Sequence, residues 1–253
     1  MKIKKHRKGL ITILIIFLFF VFVSLYGHLR CRKAVSIAED YLSKKYEKEM
    51  KNVSVRYSFI DPCLYHVYFS PEDNPELTFE VLVQNDLSIA NIAGEFGEET
   101  GSADNYYIKY FEHELEQELK KEAGEIFDEN TKITVLHSSS GMYSFFIPDG
   151  LNENVPLKDM FEIVDGRYYI YVEFPEEDVV DINSEKFASA GLEFLEMVKS
   201  KYNPLNIFIQ FWIDGEKDMI STEFNNKKDI ETVAEFKRHL KLEVEYWLRI
   251  KDL

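Results

Sequence analysis

The residues of this chain with the most chemical promise are its six histidines, two cysteines and clustered carboxylates. The segment Phe111-Glu112-His113-Glu114-Leu115-Glu116-Gln117 has the outline of a metalloprotease helix, in which two histidines four residues apart share a helix face and hold zinc. Gln117 stands where the second histidine is required, so the zinc site fails. Glu112, Glu114, Glu116 and Glu118 then read as the solvated side of an amphipathic helix. The histidines (His6, His28, His66, His113, His137 and His239) form no i,i+4 pair. His66, inside a strand, and His137, at a strand end, read as structural residues. Ser138-Ser139-Ser140-Gly141 lacks the glycine two positions before the serine that a nucleophile elbow needs, and reads as a hairpin turn. Glu72-Asp73, Glu95 to Glu99, and Glu176-Glu177-Asp178 with Asp181 offer the oxygen ligands that calcium prefers. None has the spacing of a helix-loop-helix calcium loop, so they read as solvated loops. Tyrosine recurs at Tyr65/Tyr68, Tyr106/Tyr107/Tyr110 and Tyr168/Tyr169/Tyr171, where core packing is the first reading and a peptide or glycan groove the second. Asn52-Val53-Ser54 is a glycosylation sequon, relevant only in a eukaryotic secretory host.

Cys31 and Cys63 are too few for a disulfide scaffold and lack zinc spacing. A helix over about 32–48, followed by a strand over about 53–60 running back, would return the Asp61-Pro62-Cys63 turn to the helix start. Two independent thiols are the first reading, and a Cys31–Cys63 disulfide the alternative this geometry permits. No catalytic, cofactor-binding or metal-ligating residue is assigned, and no cofactor is implied.

What must position any site begins with an unusual start. Lys2, Lys4, Lys5, Arg7 and Lys8 precede an uncharged apolar run from Gly9 to Tyr26, extended by Gly27 to Leu29. As a helix, residues 9–29 reach about 30 Å, the thickness of a bilayer's hydrocarbon core. The run is longer than the core of a signal peptide, and Val23-Ser24-Leu25-Tyr26-Gly27-His28-Leu29 has no good small-residue cleavage pair. Leu29-Arg30 before Cys31 does not suit lipoprotein processing. An uncleaved signal anchor is therefore expected, ahead of a cleaved signal or a lipoprotein. The denser cluster of positive charge predicts residues 1–8 as a cytoplasmic tail, 9–29 as the transmembrane anchor in contact with lipid, and an extracytoplasmic remainder.

All 45 Asp and Glu follow residue 30, whereas six of the 30 Lys and Arg lie at or before it. Residues 31–253 thus hold 24 cations against 45 acids, a formal charge of −21. Such a surface excludes nucleic-acid binding, which needs a basic patch.

Periodicity predicts helices over about 32–48, 105–127, 184–202 and 229–250. It predicts strands over 53–59, 64–69, 77–83, 88–92, 132–137, 142–147, 167–174, 205–213 and 218–224. Short connections imply mostly antiparallel sheets with helices packed on one face, an α+β chain. A loose recurrence of helix then strands suggests two related modules, 31–127 and 128–253.

Lys33 to Tyr46, followed by aromatic strands ending in Phe79-Glu80-Val81-Leu82-Val83, resembles small membrane-anchored extracytoplasmic proteins of Gram-positive bacteria with PepSY-like α+β modules. The resemblance covers residues 31–93, rests on pattern, and departs where Gln84-Asn85-Asp86-Leu87 replaces an Asp-Gly turn. It implies binding or inhibition of peptidases and supplies no catalytic residues. The expectation is thus a membrane-tethered binding or regulatory module, with a protein or peptide partner and no catalysis of its own. The alternatives are an extracytoplasmic hydrolase built from dispersed acids such as Glu95, Asp181 and Asp214, and a structural subunit of a membrane complex.

Overall fold

A computed structural model describes residues 2–58, 64–90, 92–93, 100–101, 103–137, 151–163, 168–174, 184–202, 207–213, 220–225 and 230–239. The chain is α+β and divides into two compact units, Met1–Asn91 and Ile92–Leu253.

The first unit is one long helix and one small sheet. Helix α1 runs unbroken over Lys2–Lys45, so the anchor and the helix expected at 32–48 are a single element. Nothing between Leu29 and Ala34 breaks a helix: Arg30, Cys31, Arg32 and Lys33 all tolerate it, and no proline intervenes. Strands β1 (Met50–Tyr57), β2 (Tyr65–Pro71) and β3 (Phe79–Val83) form an antiparallel meander in the order β1-β2-β3. Ala34, Ala38 and Leu42, four residues apart, are buried on one face of α1, the spacing of neighbours on a helix surface. Tyr65, Val67, Phe69, Phe79, Val81 and Val83 are buried by the alternation of β2 and β3. The two alanines let helix and sheet approach closely. Upstream, the same helix changes character: Phe17, Phe19, Phe20 and Phe22 are each more than 60% exposed.

The second unit holds a two-residue pair, β4 (Ile92–Ala93) with β5 (Thr100–Gly101), and then a larger layer. Helix α2 spans Tyr106–Ile126, β6 Lys132–His137, α3 Leu157–Ile163, β7 Tyr168–Phe174, α4 Glu185–Tyr202, β8 Ile207–Ile213 and β9 Ile220–Asn225, and residues 233–239 are helical. The sheet order is β6-β7-β8-β9. Three connections obey the antiparallel expectation only in part: β6–β7 and β8–β9 are antiparallel, while β7 and β8 are parallel because α4 crosses between them. Helix α4 starts as its sequence predicts, with Ser184 Oγ accepting from the Phe187 N–H at 3.1 Å. Its Phe187, Gly191, Phe194, Leu195 and Val198 all point inward.

Several boundaries differ from the sequence reading. The break falls between Asn91 and Ile92 rather than after Phe127, because the apolar face of α2 (Phe111, Leu115, Leu119, Ala123) packs in the second core. The described strands of the two units follow different orders, so one module repeated twice is not what they show. Helix α3 had no strong periodic signal; Pro156 opens it, its carbonyl accepting from Asp159 and Met160. Strand 142–147 and the Asp214-Gly215 turn lie outside the described residues; the observed partner of β6 is β7.

The second core is aromatic at its centre. Phe127 lies 5.2 Å from Phe174, 5.7 Å from Phe194 and 6.0 Å from Phe211, ring centre to ring centre. The fully buried Phe236 ring fills the space a side chain at Gly191 would occupy, with Cε1 and Cε2 each 2.9 Å from an added Cβ. Gly191→Ala would gain about 1 kcal/mol of helix propensity but overpack the core at a cost of about 1–3 kcal/mol. The expected outcome is a net loss of stability in denaturant unfolding of the detergent-solubilised chain. A stabilised variant would show that Phe236 does not seat on α4.

Candidate functional site

The first cluster sits where α1 leaves its apolar stretch. Arg30 Nε donates to the Tyr65 hydroxyl at 2.8 Å and Nη1 to that of Tyr26 at 3.1 Å. Nη2 donates to the backbone carbonyl and, at 3.3 Å, to the side-chain oxygen of Asn85. The guanidinium also lies 5.7 Å from the Tyr26 ring centre and 5.9 Å from that of Tyr65, within cation–π range. One side chain thus ties the helix to β2 and to the turn after β3. Cys31, the next residue, is half-buried; Cys63 lies outside the described residues, and so does the separation of the two thiols.

The outer face of the first sheet carries polar groups that strand register brings together. Arg56 opposes His66, and Tyr68 opposes both Ser54 and Glu80. His66 Nδ1 is 2.5 Å from Glu80 Oε1. The Tyr68 hydroxyl is pushed above its ordinary pKa by burial, then by the Glu80 charge and its hydrogen bond, with Arg56 opposing. A histidine–carboxylate pair can relay a proton; here it also joins β2 to β3 across one face. His66 therefore has a carboxylate partner on the neighbouring strand.

The second unit holds a buried acidic pair that sequence reading places in solvent. Glu112 is 4% exposed and Glu116 half-buried, whereas a solvated helix face was expected. Glu112 Oε1 accepts from the His137 N–H at 2.7 Å, and Glu116 Oε2 from the Val135 N–H at 3.3 Å. Four residues of helix rise about 6 Å, and two residues of strand about 6.8 Å. Carboxylates one turn apart on α2 therefore match alternate N–H groups along β6, an end strand of its sheet. Lys109 Nζ completes the set, 2.5 Å from Glu112 Oε2. Burial pushes the Glu112 carboxyl above the ordinary range, against the pull of Lys109 and the His137 N–H. Burial raises Glu116 in the same way. The Tyr168 hydroxyl is driven up by its own burial and then by the Glu112 charge, and its ring lies 4.6 Å from that of His137. The spacing of the two acids is visible in the sequence, but it is equally that of a solvated helix face, and the strand edge that buries them is not.

Opposite the helices, the second sheet shows a row of large side chains. Strand register aligns Leu136, Tyr169 and Phe208 across β6, β7 and β8, with Tyr171 in the next row. Tyr169 stacks on Phe208 at 5.3 Å and on Tyr171 at 6.5 Å. Leu136 is 37% exposed and the three rings are half-buried. Alternation along β7 thus divides its tyrosines: Tyr168 serves the core, Tyr169 and Tyr171 the outer face. Such a face suits an apolar or extended partner.

Other sequence candidates stay apart. Glu72 and Asp73 are exposed, with Asp73 3.3 Å from Lys48. Glu95 to Glu99, Glu176 to Asp181 and Asp214 lie outside the described residues. Among the described residues no three His, Cys, Asp or Glu side chains are grouped to hold a metal ion.

No protein-family model matches this sequence, and no curated protein does. Among solved structures, the chain is similar to a DUF5037 family protein from Ruminococcus gnavus, at 13% identity and a TM-score of 0.42, over 83% of this chain and 98% of that one.

Because folded Glu112 keeps its proton to higher pH than the unfolded chain does, the group favours folding most at acid pH. That contribution is lost as pH rises from the unfolded glutamate value, about 4.3, through the raised folded value. Glu112→Gln keeps an acceptor for the His137 N–H without the buried charge. Its stability relative to wild type should therefore increase between pH 4.5 and 7 in denaturant titrations; a relative decrease would contradict the burial argument. Glu112→Ala strands the His137 N–H and should cost about 1–3 kcal/mol.

Proposed function

We propose that this protein is a membrane-tethered binding module without catalysis of its own. Residues 9–29 cross the bilayer, residues 1–8 stay cytoplasmic, and 31–253 act outside the cytoplasm on a protein or peptide partner. The observation that carries this reading is the double character of α1. From Leu14 to Leu29 its apolar stretch is exposed, with a mean hydropathy of 2.0 in its best 18-residue window, yet the same helix continues into the buried strip Ala34, Ala38, Leu42. A surface of exposed Leu, Ile and Phe from Leu14 to Leu29 needs an apolar solvent, and a bilayer is the one its length fits. The Arg30 contacts with Tyr26 and Tyr65 span the point where a signal peptide would be cut, which favours an uncleaved anchor. The binding role is supported by the aromatic row of the second sheet, and the non-catalytic role by carboxylates committed to capping β6.

The test uses intact cells or spheroplasts. A C-terminal tag should be digested by added protease while an N-terminal tag is protected, and both should resist alkaline extraction from membranes. Release of the C-terminal portion from membranes would show a cleaved signal, and a protected C-terminal tag would overturn the orientation. For the binding role, a photo-crosslinking residue at Leu136 should give a discrete adduct that Tyr169→Ala abolishes. Adducts indifferent to Tyr169 would remove the aromatic face as the binding surface.

A further inference from the structure

We propose that the turn Gln84-Asn85-Asp86-Leu87-Ser88 is a membrane-contacting rim, lying in the headgroup layer of the bilayer that α1 crosses, with Leu87 as its apolar contact. The inference rests on the reading of residues 9–29 as a membrane span.

Position comes first. The sheet of the first unit lies along the C-terminal half of α1, and its two ends differ in height above the span. At one end Met50 pairs with Pro71, and the Glu72 N–H reaches the Glu49 carbonyl just beyond the end of α1. At the other, Tyr57, Tyr65 and Val83 are aligned, and Arg30 holds Tyr65 and Asn85. From Arg30 to Lys45 the helix rises about 22 Å. The 84–88 turn is therefore level with the first residue after the apolar stretch, and the opposite end stands about 22 Å further along the helix. An unbroken helix makes that height a fixed property of the fold rather than of a linker.

Conformation comes second. Leu87 has φ 67°, a left-handed backbone that Gly or Asn adopts far more readily than a bulky apolar residue. The turn is fixed in this state from several sides. Gln84 N–H donates to the Ser88 carbonyl at 2.8 Å and Leu87 N–H to that of Gln84 at 2.9 Å. Asp86 Oδ1 accepts from the Ser88 N–H at 2.9 Å and the Ser88 hydroxyl at 2.6 Å. A turn built only for water would place a small or polar residue at this position. Leu87 is half-buried; held there against its backbone preference, beside the mouth of a membrane span, its remaining exposed surface gains from an apolar interface.

Charge agrees. The domain as a whole is strongly acidic and would be repelled by anionic lipid, but this end carries Arg30, Arg32 and Lys33, with Arg32 and Lys33 exposed. The turn itself adds one negative charge: hydrogen bonds from Ser88 lower the Asp86 pKa and hold it ionised, so the attraction to anionic lipid has to come from these three cations. Tyr26 and Arg30 supply the aromatic and cationic pair that commonly marks a membrane boundary.

The test reconstitutes the full chain, with Cys31→Ser and Cys63→Ser, into phosphatidylcholine–phosphatidylglycerol vesicles. Single cysteines at Phe20→Cys, Leu87→Cys, Asn85→Cys or Asp73→Cys carry an environment-sensitive fluorophore. The quenching lipids are spin-labelled near the headgroup for positions 73, 85 and 87 and deep in the acyl chain for position 20, which a span over 9–29 places near the bilayer midplane. Labels at positions 20, 85 and 87 should be quenched at least twofold more than the label at 73. Quenching at 20 without quenching at 85 and 87 would overturn the rim and leave the span intact. No quenching at 20 would overturn the spanning reading and the rim with it. Equal quenching at 73 and 87 would show a domain lying flat on the bilayer and would also overturn the proposal.

Discussion

Arg30 stands at the point where one helix changes character. From Leu14 to Leu29, α1 is apolar and exposed; after Arg30, the helix is amphipathic and buries one strip on a sheet. The charge that marks the change is met by two tyrosine hydroxyls and a turn carbonyl. Those partners come from the helix itself, from β2 and from the turn after β3. The hydrogen bonds that settle the charge therefore also fix the sheet against the helix. With no breaker at the junction, the apolar stretch and the strip packed on the first sheet belong to one continuous helix.

The second unit answers a different constraint, the unpaired N–H groups of an end strand. Left open, such an edge invites pairing with another chain. Helix α2 closes it with two carboxylates whose helical spacing matches alternate strand N–H groups. The cost is burial of charge, which raises both carboxyls and makes Glu112 a favourable group chiefly in its protonated form. Lys109 offsets part of that cost. The far side of the same sheet is not covered by these helices, so its alternation is free to present Tyr169, Tyr171 and Phe208 as a stacked row. One face builds the core and the other offers a surface.

The sequence made some of this legible and hid the rest for physical reasons. Helix α2, strand β6 and the inward residues of α4 follow directly from apolar periodicity, because each is an element with one wet side. The fusion of the anchor with the first domain helix was not legible. A hydropathy change at Arg30 looks the same whether the helix stops or merely changes solvent. Glu112 was placed in water because glutamate on a polar helix face is normally solvated. Its burial depends on a strand edge that only the fold supplies. Gly191 showed its inward position by spacing, but the ring of Phe236 that requires a glycine there is distant in sequence. The boundary between Asn91 and Ile92 was missed because α2 could equally have closed a sheet before it or opened one after it. Packing of Leu115 and Leu119 on the later strands decides the matter.

The central claim is that one uninterrupted helix both crosses the membrane and forms the core of the first unit. Phe22 and Asp40 are five helical turns apart and face the same side, a separation of about 27 Å along a straight helix. Spin labels at these two positions, in a chain with both native cysteines replaced and reconstituted in lipid nanodiscs, report that separation by pulsed electron–electron dipolar spectroscopy. A single narrow distribution centred near that value is predicted. A broad distribution, or a mean shorter by a helical turn or more, would show a hinge at the junction and contradict the account.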